Sequence, residues 1–318
     1  AGRAGPRHSP WDWAASRCHR SSSLPASEAC HCPLPTQPLM LTEEVLLPPV
    51  LALLPSPALL RVAAACRQQL EAVAACEGVW AQRVLGDFGG SLERAYAWTG
   101  LARGGARELH RRLTQLRRAF DDAVVVAQGD LCAFPLACDD RVDAVVCPSV
   151  PTCGPYGPCA VAVHRAAGPA LEAFLQSHAL PAVGGRVRVG QAIVTPAFEF
   201  PGVRAIVHAV GPTWQFEAEA QRVLLRQAYE SAFRALRCEP DGPARCVATA
   251  SISTGGNGMS VEVAAPIALA ACRDAVCFGG LERLYIVLFE GYSHRAFEAV
   301  KRAVLSRFNE DPAIPDED

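Results

Sequence analysis

The fold of this chain is best indicated by the stretch Cys246-Val247-Ala248-Thr249-Ala250-Ser251-Ile252-Ser253-Thr254-Gly255-Gly256-Asn257-Gly258. It begins as a continuous apolar run of strand length, and from Ser253 to Gly258 it becomes a turn with three glycines and two hydroxyl side chains. A helical pattern follows over residues 262–278. The main-chain N–H groups of a glycine-rich turn between a strand and a helix can surround an anion. A tight turn without a ligand is the alternative, because the stretch lacks the Gly-Lys-Ser/Thr of a P-loop.

Further short apolar runs occur through the second half of the chain. They cover residues 123–127, 142–146, 205–210 and 284–289, and helical patterns cover residues 160–174, 218–236 and 294–308. Runs without polar alternation are typical of strands that are buried on both faces. Because such strands alternate with helices, the sequence predicts an α/β layered fold whose ligands lie beyond the carboxyl ends of the strands.

The first half of the chain has a different pattern. Residues 1–38 are rich in Ser, Pro, Arg and Gly without periodicity, which indicates a disordered leader. Over residues 39–120 apolar residues recur every three to four positions, which predicts a small all-α module. We expect the α/β domain to span residues 121–310 and an acidic tail to span residues 311–318.

The helical module carries motifs in the order of one known family. They are Leu41-Thr42-Glu43-Glu44-Val45-Leu46, Leu54-Pro55, Leu59-Leu60, Cys66-Arg67 and Trp80. On these residues the module resembles an F-box, and the resemblance implies that residues 41–80 dock on a Skp-type adaptor of a cullin ubiquitin ligase. Pro48-Pro49 and Gln69 depart from the family pattern, so a generic three-helix module is the alternative.

The second half carries a longer set of motifs in family order. They are Gln128-Gly129-Asp130-Leu131, Val142-Asp143-Ala144-Val145-Val146, Ala162-Val163-His164-Arg165-Ala166-Ala167-Gly168, Gly190-Gln191-Ala192-Ile193-Val194-Thr195, Ile206-Val207-His208-Ala209-Val210-Gly211-Pro212-Thr213-Trp214 and Ile252-Ser253-Thr254-Gly255-x-x-Gly258. With these motifs, residues 124–308 resemble the macro domain, the ADP-ribose-binding module. The resemblance implies a mixed sheet of six or so strands layered between helices, with ADP-ribose or ADP-ribosylated proteins as partners.

The same resemblance implies which residues bind the ligand. Asp130 would accept a hydrogen bond from the adenine amino group, with the Leu131 N–H nearby. Phe289 or Tyr292 would lie against the adenine face. Gly157 remains from the glycine-rich loop of the family. The main chain of the glycine-rich turn would wrap the pyrophosphate, and its residues are Ser253, Thr254, Gly255, Gly256, Asn257 and Gly258.

Two departures from the family pattern bear on activity. Val150 stands where hydrolytic members have a second Asn, and Ala160 stands where they have an acidic residue. General-base hydrolysis needs an oriented water beside a polar or charged group, so we expect a binding module without catalytic residues. A hydrolase with rearranged catalytic residues is one alternative, and a degenerate domain that serves only as a protein-interaction scaffold is another. His164 and His208 lie in apolar segments and are expected to pack in the core.

The cysteines and the charge balance limit the other classes of function. Cys147, Cys153 and Cys159 recur every six residues. Some macro domains hold zinc with Cys and His in this loop, but the expected His is absent here, so we interpret the three as small buried thiols rather than a zinc site. We therefore expect no metal or cofactor. The 14 cysteines of the 318-residue chain include several inside apolar runs, which favours a reducing cytoplasmic or nuclear setting. No apolar run reaches membrane-spanning length, and a net charge of −2 gives no basis for nucleic-acid binding.

Overall fold

The computed structural model describes residues 77–103, 105–214, 218–238 and 242–311. The predicted leader of residues 1–38 lies outside the described residues. So do residues 41–76 of the F-box-like segment and residues 312–318 of the tail.

A six-stranded mixed sheet forms the centre of the molecule, which confirms the fold class expected for the second half. The strands are β1 (Val124–Gln128), β2 (Ala144–Ser149), β3 (Ala192–Pro196), β4 (Ala205–Val210), β5 (Cys246–Thr249) and β6 (Arg283–Leu288). Their order across the sheet is β1-β6-β5-β2-β4-β3. All neighbours are parallel except β3, which pairs antiparallel with β4 at one edge.

Helices precede the sheet and connect its strands. Those before the sheet are α1 (Glu77–Phe88), α2 (Leu92–Thr99) and α3 (Ala106–Ala123). Those within it are α4 (Phe134–Ala137), α5 (Pro158–Ala167), α6 (Pro169–Phe174), α7 (Leu180–Ala182), α8 (Ala218–Ala235), α9 (Val261–Cys277) and α10 (Gly291–Ser306). A π-helical turn (Leu175–Ala179) joins α6 to α7, and a 3₁₀ turn (Leu236–Cys238) follows α8. In the part of the chain that the structure describes, no helix is both long and apolar enough to cross a membrane.

The single helix expected over residues 160–174 is divided into α5 and α6 at Gly168. Gly168 has a φ of +76°, which a residue with a side chain rarely adopts. A Cβ at this position would also lie 2.6 Å from the Glu199 Oε2 atom. The prediction of one continuous helix was therefore wrong. Pro169, the next residue, has no N–H and disfavours a helical conformation at the residue before it, so it accounts for the break.

Alternate residues of the strands enter two hydrophobic cores, one on each face of the sheet. Val146 and Ile286 belong to the first core, with side chains of α3, α8, α9 and α10. Val145, Ile206 and Val287 belong to the second core, with side chains of α5 and α6. Because both faces are covered, the strands read as continuous apolar runs in the sequence.

The helices before the sheet belong to the first core. Leu109, Leu113 and Leu116 recur at helical spacing along α3 and are buried there together with Phe120. α3 ends at Ala123 and β1 begins at the next residue, so no linker separates them. The domain limits of 39–120 and 121–310 stay predictions, but α1–α3 and the sheet share one core.

A buried arginine fixes the end of the described chain to the same core. Arg273 of α9 is 1% exposed. Its guanidinium donates to the main-chain oxygen of Phe308 at 3.0 Å and of Glu310 at 2.7 Å. Its Nε donates to Asp274 Oδ1 at 3.2 Å, and its charged group lies 4.7 Å from the Trp98 ring centroid. A buried charge with this set of partners is tolerated, whereas an unpaired one is not.

Candidate functional site

The carboxyl ends of β1, β6, β5 and β2 lie side by side along one edge of the sheet. Ligands of open α/β sheets bind at this edge. The segments that follow the four strands comprise residues 129–133, 289–292, 250–260 and 150–157. Every ligand-binding residue predicted from the sequence lies in one of these segments. The structure therefore brings the predicted residues to one edge, while their individual roles stay predictions.

Asp130 and Phe289 emerge next to each other from paired strands. Gln128 of β1 pairs with Leu288 of β6, and the Gly129 N–H donates to the Leu288 oxygen at 3.0 Å. Asp130 and Phe289 come within two residues of this last pair. The Asp130 carboxylate is exposed, and its Oδ1 accepts a hydrogen bond from the Cys132 N–H at 2.9 Å. This turn holds an acceptor beside an aromatic ring.

Two aromatic side chains at the end of β6 are unusually open to solvent. Phe289, predicted as the last strand residue, is the first residue after β6 and is 79% exposed. Tyr292 is the second residue of α10 and is 53% exposed. A flat apolar face beside a carboxylate matches the shape and the donor edge of a purine.

The loop of residues 250–260 is shaped by its own hydrogen bonds. The Gly258 N–H donates to the Gly255 oxygen at 2.9 Å, and the Met259 N–H donates to the Ser253 oxygen at 3.0 Å. Ser253 and Gly258 adopt left-handed conformations with φ of +68° and +75°. Among the described residues, the N–H groups of residues 253–257 have no acceptor. These amides are therefore available to an anionic ligand.

The loop is supported on one side and open on the other. A Cβ at Gly211, the residue after β4, would lie 2.3 Å from Ser253 Oγ and 2.4 Å from Ile252 Cγ2. A Cβ at Gly255 or Gly256 would meet no atom within 4 Å. Because no side chain fills the space before the glycines, a ligand can approach the main chain directly.

Gly211→Ala should destabilise the domain, because the new methyl group would overlap atoms of the supporting contact. We expect the free energy of unfolding to fall by about 1–3 kcal/mol. Urea denaturation would measure the change. Gly255→Ala is the matched control, since its methyl group enters open space, and it should unfold like the unchanged chain. Equal stability of the two variants would contradict the supporting role of Gly211.

Two further features favour negative charge at this loop. The Ser253 side chain is 4% exposed, and its Oγ has no hydrogen-bond partner among the described residues. The loop also leads into α9, a 17-residue helix whose N-terminus carries a partial positive charge.

Tyr229 of α8 holds the loop from the core, because its hydroxyl accepts a hydrogen bond from the Ile252 N–H at 2.8 Å. No role was assigned to Tyr229 or Gly211 from the sequence, because each meets the loop only through contacts between distant segments.

The loop after β2 is also fixed by main-chain contacts. The Cys153 N–H donates to the Val150 oxygen at 2.8 Å, and Cys153 has a φ of +51°. Gly157 has a φ of +84° and immediately precedes α5, so a glycine is required there. The loop reaches the same edge of the sheet as the glycine-rich turn.

Two positions at which the resemblance to hydrolytic macro domains implies polar residues carry apolar side chains. Val150 is half-buried, and Ala160 is buried in the second core. The side chains between them include the hydroxyls of Thr152 and Tyr156 and two thiols, but no carboxylate or amide. The loop therefore offers no oxygen base of the kind that activates water.

His164 and His208 pack together beneath the loop after β2, as expected from the sequence. Their ring centroids are 6.1 Å apart. His164 Nε2 lies 2.9 Å from the Cys153 oxygen, and His208 Nε2 lies 3.2 Å from Thr195 Oγ1. His208 is fully buried, and its Nδ1 has no partner among the described residues. Both rings therefore serve packing in this structure.

His208 should make the free energy of unfolding depend on pH below about 6.5. Burial lowers the pKa of His208 from 6.5 to about 3. The unfolded chain binds this proton at a higher pH than the folded chain, so stability is lost as the pH falls from 6.5 towards 3. Between about pH 7 and pH 5 the loss is about 2 kcal/mol. Urea unfolding at both pH values measures this loss. The free energy of unfolding of His208→Gln should fall less between the two pH values, by about 2 kcal/mol. An identical loss in the variant would contradict the assignment.

Cys147, Cys153 and Cys159 lie in different parts of the structure. Among the residues that the structure describes, no three His, Cys, Asp or Glu side chains are grouped to hold a metal ion. Cys147 is buried within β2 and Cys159 lies in the first turn of α5, whereas Cys153 lies in the loop between them. The regular spacing of the three cysteines thus does not correspond to one cluster.

The sequence and the fold are similar to known proteins. Residues 153–268 match the Macro domain family. A macro domain-containing protein of Ralstonia nicotianae is 38% identical over 140 residues, which cover 44% of this chain and 73% of the relative. The O-acetyl-ADP-ribose deacetylase of Salmonella gallinarum is 30% identical over 189 residues, 59% of this chain and 97% of the relative. The solved structure of a mutant Oceanobacillus iheyensis macrodomain is 25% identical with a TM-score of 0.51, covering 57% of this chain and 91% of that one.

Proposed function

This chain belongs to the macro domain family, and on that basis we propose that it binds ADP-ribose and reads ADP-ribosylated proteins. The observation that carries the proposal is the loop of residues 250–260. Its N–H groups at residues 253–257 have no acceptor among the described residues, and open space lies before Gly255 and Gly256. A diphosphate placed in that space would receive several main-chain hydrogen bonds at once.

The two ends of the proposed site would recognise the two ends of the ligand. The exposed carboxylate of Asp130 would accept from the adenine amino group, and Phe289 or Tyr292 would cover the ring. Gly157, in the loop after β2, would lie towards the distal ribose. The name of the Salmonella relative, an O-acetyl-ADP-ribose deacetylase, supports a ligand that contains ADP-ribose.

Calorimetric titration of the full chain with ADP-ribose tests the proposal. We expect saturable binding, with ADP and AMP binding progressively more weakly because they offer fewer groups to the loops. A Kd in the micromolar range corresponds to about −8 kcal/mol. Absence of heat and of thermal stabilisation at millimolar ADP-ribose would rule the proposal out.

Phe289→Ala should weaken ADP-ribose binding without changing stability. An aromatic contact contributes roughly 0.5–1.5 kcal/mol, so we expect the Kd to rise about fivefold. The melting temperature should not change, because the Phe289 side chain is largely exposed. Phe198→Ala is a matched control, since Phe198 is also exposed but precedes the amino end of β4, at the opposite edge of the sheet. An unchanged Kd for Phe289→Ala would remove Phe289 from the site.

We propose a binding module rather than an efficient hydrolase. The support is the apolar character of Val150 and Ala160, at the positions where hydrolytic relatives carry polar groups. Incubation of the full chain with ADP-ribosylated protein and with O-acetyl-ADP-ribose should release no product at ordinary enzyme rates. Turnover comparable to that of the Salmonella relative would favour the alternative, a hydrolase with rearranged catalytic residues.

We further propose that the F-box-like segment couples this reader to a Skp-type adaptor in the cytoplasm or nucleus. The support is the order of the motifs in residues 41–80, of which residues 77–80 are described. Trp80, which ends the pattern, packs 5.2 Å from the His110 ring and is not available as a separate contact. Co-purification with a Skp-type adaptor tests the coupling, and Leu60→Arg should abolish it. If the unchanged chain did not retain the adaptor, the proposed coupling would be rejected.

A further inference from the structure

An open groove lies between α3 and α10, two helices of the first core. Its volume is about 400 Å³. Arginines of both helices and one carboxylate form its walls, and the lining residues are Arg117, Arg118, Asp121, Arg302, Leu305 and Ser306. Three guanidinium groups therefore surround one open space on the surface of the protein.

The groove is separate from the proposed ADP-ribose cleft. Tyr292, at the start of α10, belongs to that cleft, whereas Arg302 lies ten residues later on the same helix, about 15 Å along its axis. α3 leads into β1 at Val124, the amino end of the strand, while the cleft lies beyond the carboxyl ends. The groove is thus at the opposite edge of the sheet.

Asp121 is the carboxylate of the groove wall, and it is already paired. Lys301 Nζ lies 3.0 Å from Asp121 Oδ1 and donates to the Asp121 main-chain oxygen at 3.0 Å. The Lys301 side chain is only 14% exposed, so its charge stays close to the carboxylate. Because Lys301 balances Asp121, the three arginines leave the groove with a positive potential.

Arg117 is held in position at one side of the groove. Its Nη1 donates to the Asp87 main-chain oxygen at 2.9 Å, and its charged group lies 4.6 Å from the Phe88 ring centroid. These partners are a main-chain oxygen and an aromatic ring, so neither neutralises the charge of Arg117. A guanidinium group fixed in this way loses little conformational entropy when it binds an anion.

Arg118 and Arg302 carry charges that the protein does not neutralise. Arg118 is exposed, and no hydrogen bond or ion pair joins it to another described residue. Arg302 Nη1 lies 3.9 Å from Glu298 Oε2, but the Arg302 side chain is 71% exposed, and an exposed pair at this distance contributes little. Both guanidinium groups can therefore turn towards a ligand in the groove.

We propose that this groove binds a phosphate monoester. Such a group carries nearly two negative charges and three terminal oxygens, which matches three guanidinium groups better than a carboxylate with one charge and two oxygens. The organic part of the ester would lie against Leu305, and the volume of the groove is in the range of small-molecule sites. Two sources present this group, a phosphorylated side chain of another protein and a free sugar or glycerol phosphate.

NMR titration of the full chain with inorganic phosphate tests this inference. The chain carries Gly256→Val, because a side chain there enters the open space before the glycine-rich turn and keeps phosphate out of the proposed cleft. We expect the Nε–H signals of Arg118 and Arg302 to shift to saturation, with a Kd of about 1 mM, as for a small anion at exposed charges. Sodium chloride at the same ionic strength is the control. If the shifts grow linearly with both salts, the groove is not a phosphate site.

Variants in the same background show whether the arginines of the groove bind the phosphate. Arg118→Gln and Arg302→Gln should each raise the Kd about fivefold, and the double variant should show no saturation. Because both side chains are exposed, the melting temperature should not change. Arg245→Gln, which removes an exposed arginine paired with Glu282, is the matched control and should keep the Kd. A double variant that binds phosphate as tightly as this control would overturn the proposal.

Further titrations identify the source of the ligand. A peptide with one phosphoserine is compared with its unphosphorylated form and with glycerol phosphate, and the tighter of the two phosphate esters identifies the source. Tighter binding of a single-stranded oligonucleotide, whose diesters carry one charge each, would overturn the assignment to a monoester. So would phosphate binding that appears only after residues 312–318 are removed, because the acidic tail would then be the occupant. No titration contains ADP-ribose, so the outcome is independent of the proposed function.

Discussion

Gly256→Val is expected to abolish measurable ADP-ribose binding while the domain unfolds at an unchanged temperature. A Cβ at Gly256 would meet no protein atom within 4 Å, so we expect the fold to accommodate a valine side chain there. The same side chain would occupy the space in which we propose that the diphosphate approaches the N–H groups of residues 253–257. We expect the Kd to rise at least about a hundredfold, which corresponds to about 2.7 kcal/mol. Calorimetry gives the Kd, and a thermal melt without ligand reports the fold.

Gly86→Ala provides the control for this substitution. Gly86 lies on α1, away from the edge of the sheet that carries the loops, and a Cβ there also meets no atom within 4 Å. It should leave the Kd unchanged and should not lower the melting temperature, because Ala is a better helix former than Gly. If Gly256→Val binds ADP-ribose like the unchanged chain, the ligand does not use this loop.

Arg273→Met is expected to produce the largest loss of stability. The methionine side chain fills much of the volume, but the oxygens of Phe308 and Glu310 lose their donors. Hydrogen bonds to a charged group contribute about 1.5–3 kcal/mol each, so we expect a loss of at least about 3 kcal/mol. Urea denaturation with an unchanged m-value would measure this loss.

Arg245→Met is the matched control for the buried arginine. Arg245 forms an ion pair with Glu282 at 2.7 Å, but both side chains are largely exposed. Exposed pairs contribute about 0–1 kcal/mol, so this variant should unfold almost like the unchanged chain. If Arg273→Met were no less stable than the control, the buried hydrogen bonds of Arg273 would contribute little to the fold.

The sequence predicted the central strands well because of how they are covered. β2, β4, β5 and β6 lie between two cores, so most of their positions are apolar and the runs stand out from their surroundings. The edge strand β3 was not among the predicted runs. It pairs on one side, its residues are mostly half-buried, and it ends in a proline. A short strand with these properties has no distinct period in the sequence.

The parts of the site that depend on neighbouring residues in the sequence could be predicted, whereas contacts between distant segments could not. The position of the glycine-rich turn between β5 and α9 follows from the sequence alone. The contact of Gly211 with Ser253 does not, because it joins segments that are distant in sequence.

The direct passage from α3 into β1 has a consequence for anyone who shortens this protein. A chain cut at residue 121 would leave uncovered the patch of the first core that Leu109, Leu113 and Phe120 now cover. Each such side chain contributes about 1.5–3 kcal/mol by leaving water, and the bared patch would promote aggregation. If that fragment failed to bind ADP-ribose, the cause would be its disturbed fold and not a lack of affinity in the intact domain. Deletions should therefore stop before Glu77.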